Sequence, residues 1–229
     1  AEAARRLLAQ GHTAFKLVSA AENRGQQVER DVARVKALRK LVGDKARIMI
    51  DGRNCFDLYH AKLLARQIEP YDVAYFDEPI MARDPAALQE LRRACPRVPI
   101  AARGWGGNIW SNRELIAHGA VDLIGSNVLD GGGYTQSIKV AHMAEMYQLP
   151  LVTGGGWHAQ NAHLIAAVSN GWMTEIFVVS GLMCEAIFVD APKPSKGKLR
   201  LGDKPGLGLT LNEDAVREAV ERGRAAERG

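Results

Sequence analysis

Two short apolar runs break off in carboxylates. Ile48-Met49-Ile50 leads into Asp51-Gly52-Arg53-Asn54, and Val73-Ala74-Tyr75-Phe76 leads into Asp77-Glu78-Pro79. A continuous apolar run of this kind reads as a buried parallel strand. In open α/β sheets and (β/α) barrels, chemistry sits where such strands end. Asp51 and Asp77 are therefore expected at one rim. A third run, Ala14-Phe15-Lys16-Leu17-Val18, carries a single lysine. Lys16 is either a proton donor or acceptor, if desolvation lowers its pKa, or the buried counter-ion of Asp51 or Asp77.

The elements that must position these groups alternate regularly. Residues 1–10 form an amphipathic helix with Ala3, Ala4, Leu7 and Leu8 on one face, stopped by Gly11. After the Ala14–Val18 strand, Val28, Val32, Val35, Leu38 and Leu41 predict a helix over 26–42, closed by Gly43. The strand ending at Asp51 is followed by a helix over 57–69, the strand ending at Asp77, and a helix opened by Asp84-Pro85, an N-cap followed by proline at N1. Further strands are predicted at Val98–Ala102, Val121–Gly125, Leu149–Thr153 and Glu175–Val179, with helices over 111–118, 134–147 and 159–169 between them. Seven strands joined by helices and short loops indicate right-handed βαβ units and a parallel sheet. Gly131-Gly132-Gly133 follows a strand but lacks the spacing of a dinucleotide-binding loop. Gly154-Gly155-Gly156 reads as a tight turn, with anion binding on its backbone N–H groups as the alternative. The Pro/Gly/Lys-rich stretch from 190 predicts a hairpin-like surface segment before a last helix at 213–222.

Composition narrows the class. The chain has 229 residues, 47% apolar and 24% charged, with a net charge of +4. Its basic residues are spread along helices and form no block, which argues against a nucleic-acid partner. No apolar stretch is long enough to span a bilayer, and no signal peptide is visible. Cys55, Cys95 and Cys184 are far apart and form no CxxC, as expected for reduced thiols in a cytoplasmic protein.

The order of signals resembles the enolase superfamily, in its mandelate racemase/muconate lactonizing branch, over nearly the whole chain. Gly11-His12-Thr13-Ala14-Phe15-Lys16 resembles that family's catalytic-lysine strand, and Phe76-Asp77-Glu78-Pro79 resembles its "EEP" strand end. Val121-Asp122-Leu123-Ile124 with Gly131-Gly132-Gly133-Tyr134-Thr135 resembles its fifth-strand region, and Asp203-Lys204-Pro205-Gly206-Leu207-Gly208-Leu209 its "DGPGLG" tail. The resemblance implies a TIM-type (β/α) barrel of the modified (β/α)7β kind. Residues 1–190 would form the barrel without its first strand, and 191–229 a tail packing back on it. The first strand and an N-terminal capping domain are expected ahead of residue 1. Without them one edge strand would be unpaired, and these residues alone would be unstable.

The implied chemistry is abstraction of the proton α to a carboxylate, in a hydroxy acid or acid sugar, leading to dehydration or to racemisation or epimerisation. Negative charge developing on the substrate oxygens must meet fixed positive charge, which Mg²⁺ supplies in this family. The resemblance carries over unevenly. Lys16 matches the first lysine of the family's Lys-x-Lys, and the second position is Val18. Asp51 and Asp77 match the first two metal acids, whereas the third falls at Gly104. The Asp of the family's Asp–His dyad falls at Asn127 and its His in Gly154-Gly155, with His158 just beyond. Glu175 matches the acid after the last strand. The expected catalytic set is then Lys16, Glu175 and His158, with Asp51 and Asp77 as metal ligands. Arg53 and Arg103 would bind the substrate carboxylate, or pair with the acids as fixed cations in the metal's place. The second reading is a catalytically degenerate barrel that binds a small carboxylate or serves as a structural subunit. A symmetric homo-oligomer is the base expectation in either case.

Overall fold

Helical and apolar patterns alternate along the folded chain as the sequence predicts. The computed structural model describes residues 2–19 and 24–226. Helix α1 (Glu2–Ala9) leads into β1 (Ala14–Val18), α2 (Arg24–Val42), β2 (Arg47–Asp51), α3 (Leu58–Ile68), β3 (Val73–Asp77) and α4 (Pro85–Ala94). Then come β4 (Ile100–Ala102), α5 (Ile109–Ala117), β5 (Leu123–Gly125), α6 (Gly133–Met146), β6 (Leu151–Thr153), α7 (His158–Ala167) and β7 (Gly171–Thr174). Helices α8 (Val178–Ile187) and α9 (Glu213–Ala226) follow. Local chemistry sets several helix starts. Asp57 and Asp84 accept from the amides of His60 and Ala87, and Asn108 does the same for Ser111. Each cap satisfies an N–H that the helix itself leaves unpaired.

The seven strands pair in parallel, in the order β1 to β7. No ladder joins β1 to β7 among the described residues, yet Lys16 on β1 lies 2.7 Å from Glu175, one residue past β7. The sheet therefore curls into the TIM-type barrel arrangement. The two-residue period of the strands sorts side chains between two layers. Ile50, Phe76, Ile100, Ile124 and Leu151 face the surrounding helices. Met49, Tyr75, Ala101, Leu123 and Val152 form a separate cluster in the lumen. Asp51 and Asp77 keep the parity of Met49 and Tyr75, so they enter the lumen one step nearer the strand ends.

The last strand is a correction. The apolar run expected to form it, Glu175–Val179, lies outside the sheet. β7 is Gly171–Thr174, and Val178 opens α8. A short apolar run fits a buried strand and a helix equally well by periodicity. Here Phe177, Val178 and Val179 are exposed. The position of β7 is set by packing: a Cβ on Gly171 would lie 2.2 Å from the Ile165 carbonyl oxygen of α7. Only glycine lets the strand pass so close to that helix.

The tail meets the barrel at defined points. Ser195 and Lys198 form an antiparallel bridge, as expected of a hairpin-like segment, and Phe188 pairs with Leu211. A Cβ on Gly197 would meet Thr13 Oγ1 at 2.4 Å, so this turn lies against the loop before β1. Among the described residues no helix is long and apolar enough to cross a membrane. Cys55, Cys95 and Cys184 form no disulfide among the described residues.

Candidate active site at the strand ends

The pocket at the C-terminal ends of the strands is lined by Lys16, Asp51, Asp77, Glu78, Arg103 and the Gly154-Gly155 turn, with Tyr75 beneath. Lys16 sits at its centre. Its ammonium donates to Asp77 and, at 2.7 Å, to Glu175, and it pairs with Asp51 at 3.2 Å. All four side chains are more than four-fifths buried. The acids come from β2, β3 and the residue after β7, so only the curl of the sheet brings them together.

The electrostatics follow from this grouping. Burial alone would lower the Lys16 pKa, but Asp77, Glu175, Tyr75 and Asp51 together raise it well above the ordinary lysine value. Of the two expectations, the geometry matches the counter-ion one: Lys16 pairs with both Asp51 and Asp77, and these carboxylates favour its charged form. Three carboxylates around one ammonium leave an excess of negative charge. Burial, with Asp51 and Glu78 nearby, pushes the Asp77 carboxyl up to about 6 despite the attraction of Lys16. Tyr75 is also raised, first by burial and then by Asp77, Glu175 and Asp51, against the lowering effect of Lys16.

A second ion network lies beside the first. Arg103 donates to Glu78 at 2.8 Å and pairs with Asp130. Burial would lower its pKa, and Glu78 and Asp130 raise it. Asn54 donates to the Glu78 carboxylate at 3.0 Å, and its backbone N–H to the Glu78 carbonyl at 2.7 Å. Arg53, Asn54 and Glu78 all take positive φ, at 52°, 57° and 42°. Non-glycine residues rarely adopt this conformation, and it persists where surrounding bonds over-determine it. The paired turns after β2 and β3 supply those bonds.

The remaining candidates separate. Arg53 has an exposed side chain, and its backbone N–H donates to Asp51 at 2.9 Å. Neither Arg53 nor Arg103 takes the central cation position; Lys16 does. His158 is the first residue of α7, buried, with Nε2 3.2 Å from the Pro192 carbonyl. It lies outside the lining of the Lys16 pocket, against the tail. Asn127, at the dyad position, is structural: it donates to the Gly154 carbonyl, and its Oδ1 accepts from Leu129 N–H and from Asn161.

The glycines at the altered positions each have a steric reason. A Cβ on Gly104 would lie 2.4 Å from the Asn112 nitrogen and 2.5 Å from Ser111, so the first turn of α5 fills that corner. A Cβ on Gly154 would stand 3.1 Å from Glu175 Oε2 and 3.6 Å from Lys16 Nζ, so its absence leaves room for that pair. Sequence reasoning missed Tyr75, Asn54 and Asp130. Tyr75 was within reach, since it stands two residues before Asp77 and therefore on the same face. Asn54 and Asp130 depend on loop conformations that no periodicity encodes.

In kind, the donor set suits a hard divalent cation. Asp51, Asp77 and Glu175 can each present an oxygen, all within 4.8 Å of one another. Octahedral Mg²⁺ binds oxygens at about 2.1 Å and retains several waters, so opposite ligands stand about 4 Å apart. The third carboxylate comes from the end of β7 and not from β4, where Gly104 is closed off.

Residues 1–215 match the family model described as "Enolase C-terminal domain-like". An arabinonate dehydratase of Saccharolobus solfataricus is 28% identical over 197 residues, covering 84% of this chain and 52% of that protein. The crystal structure of a racemase from Streptomyces coelicolor A3(2) with bound magnesium superposes with a TM-score of 0.83 at 26% identity, covering 94% of this chain and 57% of that one. L-talarate dehydratase from Polaromonas sp. JS666, complexed with Mg and L-glucarate, gives 0.82 at 27% identity, with 93% and 57% covered. The chain spans about half the length of the curated relatives it matches.

Proposed function

The chain belongs to the enolase C-terminal domain-like family, and on that premise we propose that it forms the barrel of an enzyme acting on a small hydroxy acid of the acid-sugar class. The reaction is removal of the proton α to the carboxylate, leading to dehydration or to racemisation or epimerisation. One observation carries this reading: a protonated lysine and three carboxylates from β1, β2, β3 and the end of β7 converge at the catalytic rim of the barrel. The dehydratase and racemase relatives support the substrate class.

Each group has a role that its position allows. Arg103, a third exposed on its side chain, faces the pocket beside Glu78 and binds the substrate carboxylate. Lys16 is the proton-transfer group: when neutral its Nζ takes the α-proton, and the ammonium so formed gives a proton to a departing hydroxyl in dehydration or back to the α-carbon in epimerisation. Without an ion, Glu175 holds that ammonium from across the barrel. Asp51, Asp77 and Glu175 are the residues that would hold Mg²⁺, which supplies fixed positive charge where negative charge builds on the substrate. Tyr75 closes the floor and keeps water from beneath.

A second reading is favoured by one feature. Val18 and Gly154 stand where a base would be, and Lys16 is bound by three acids at once. A barrel that binds a small carboxylate without turnover accounts for both. One experiment separates the two. The intact protein is incubated with a panel of acid sugars and Mg²⁺ in D2O, and α-proton exchange is followed by NMR beside a thermal melt. Exchange that is lost in Lys16→Gln supports the enzyme. A substrate-dependent rise in melting temperature without exchange supports the binding barrel. If neither occurs with any acid sugar, the substrate class is wrong.

A further inference from the structure

We propose that the Lys16 ammonium and a divalent cation are alternative occupants of one place, the space between Asp51, Asp77 and Glu175, so that Lys16 is a built-in competitor that must swing aside before an ion enters. This rests on reading these three acids as the cation site of the proposed function. Each carboxylate already gives an oxygen to Nζ, at 3.2 Å from Asp51, at 2.7 Å from Glu175 and in a direct bond from Asp77. A cation ligated by the same three groups would stand against the ammonium inside a mostly buried pocket. Two like charges in that setting repel strongly, because little water screens them.

The surroundings fit an exchange of occupants. No fourth carboxylate can join from β4, since the first turn of α5 fills the space beside Gly104. The ion therefore has to draw on the oxygens that now hold Lys16. The ammonium has somewhere to go. Gly154 leaves 3.6 Å between Nζ and the place its own Cβ would occupy, and a Cβ on Gly155 would meet nothing within 4 Å. Both glycines line the pocket. When the ion enters, Lys16 is displaced toward this turn and becomes free for proton transfer over the substrate. One movement thus couples cation binding to the release of the catalytic lysine.

The test is a Mg²⁺ titration of the intact protein by calorimetry, repeated with Mn²⁺ by loss of the free-ion paramagnetic signal. Removing the competitor in Lys16→Met should tighten binding by about tenfold or more, within the usual range of coupling between sites. Adding Glu175→Gln to that variant should weaken it again by a similar factor. Lys16→Gln, which keeps a donor toward Asp77, replaces Lys16→Met should the latter not fold. In the wild type, Mg²⁺ should increase acylation of Lys16 by acetic anhydride, read by peptide mass spectrometry. Unchanged or weaker binding in the Lys16 variants overturns the proposal, as does protection of Lys16 from acylation by Mg²⁺. The reaction itself is read separately as α-deuterium exchange. Exchange in the wild type, together with unchanged Mg²⁺ affinity in Lys16→Gln, removes the competition and leaves the enzyme. Tighter Mg²⁺ binding in the variants without exchange of any acid sugar does the reverse.

Discussion

Asp77 is the residue whose environment makes the sharpest prediction. Its carboxyl is raised from 3.8 to about 6, so the fold disfavours its charged form. The stability linked to its protonation is fully present below about pH 4 and is lost as the pH rises through about 6. Two pH units correspond to roughly 3 kcal/mol at most. Lys16 behaves differently: its raised pKa keeps its contribution intact through neutral pH, to be lost only well into the alkaline range. Urea denaturation in EDTA should show the stability of wild type falling relative to Asp77→Asn between pH 4 and 7. A constant difference across that range would mean that Asp77 is not raised.

Among the elements, α5 decides which acids can gather. Its capped first turn presses on Gly104, where the Asn112 side chain accepts from the Gly104 N–H at 2.8 Å. Gly104→Ala should therefore destabilise the protein by about 1–3 kcal/mol, a typical cost of forcing atoms into a packed position, measurable by chemical denaturation. Gly104→Asp should be at least as damaging and should not tighten Mg²⁺ binding. A stable Gly104→Asp variant with improved Mg²⁺ affinity would show that α5 yields, and the closed corner would cease to explain the altered acid set. At the opposite end of the sheet, β7 is held by the contact of Gly171 with α7. That contact places Glu175 at the rim, one residue past the strand, although the apolar run it opens reads as a strand by pattern.

For the whole molecule, Lys16 works as a clasp. β1 and β7 share no ladder among the described residues, and the ion pairs of Lys16 link β1 to β2, β3 and the end of β7. Replacing Lys16 by Met leaves three carboxylates facing one another, and removing one partner of a buried ion pair costs about 3–5 kcal/mol. Hydrogen exchange of that variant in EDTA should rise first in β1 and β7, with β3 to β5 protected for longer. Adding Mg²⁺ should restore protection to both. Uniform exposure of all seven strands would mean that the curl does not depend on the clasp.

Up to β6, local residue patterns are enough to give the order of elements, their approximate limits, the parallel sheet and the strand ends at which Asp51, Asp77 and Lys16 stand; the place of β7 and the presence of α8 are not among them. The legible features follow from local periodicity, capping residues and the two-residue alternation of strands, which act over a few positions along the chain. Tertiary structure alone decided which groups meet. The distance from Lys16 to Glu175 spans 159 residues of chain and depends on the curl of the whole sheet. The closing of the corner at Gly104 depends on the path of α5, and the turn of His158 toward Pro192 depends on the tail. The protonation of Lys16 was open for the same reason. Burial and nearby carboxylates act in opposite directions on a lysine, and their balance is set by distances that exist only in the folded chain.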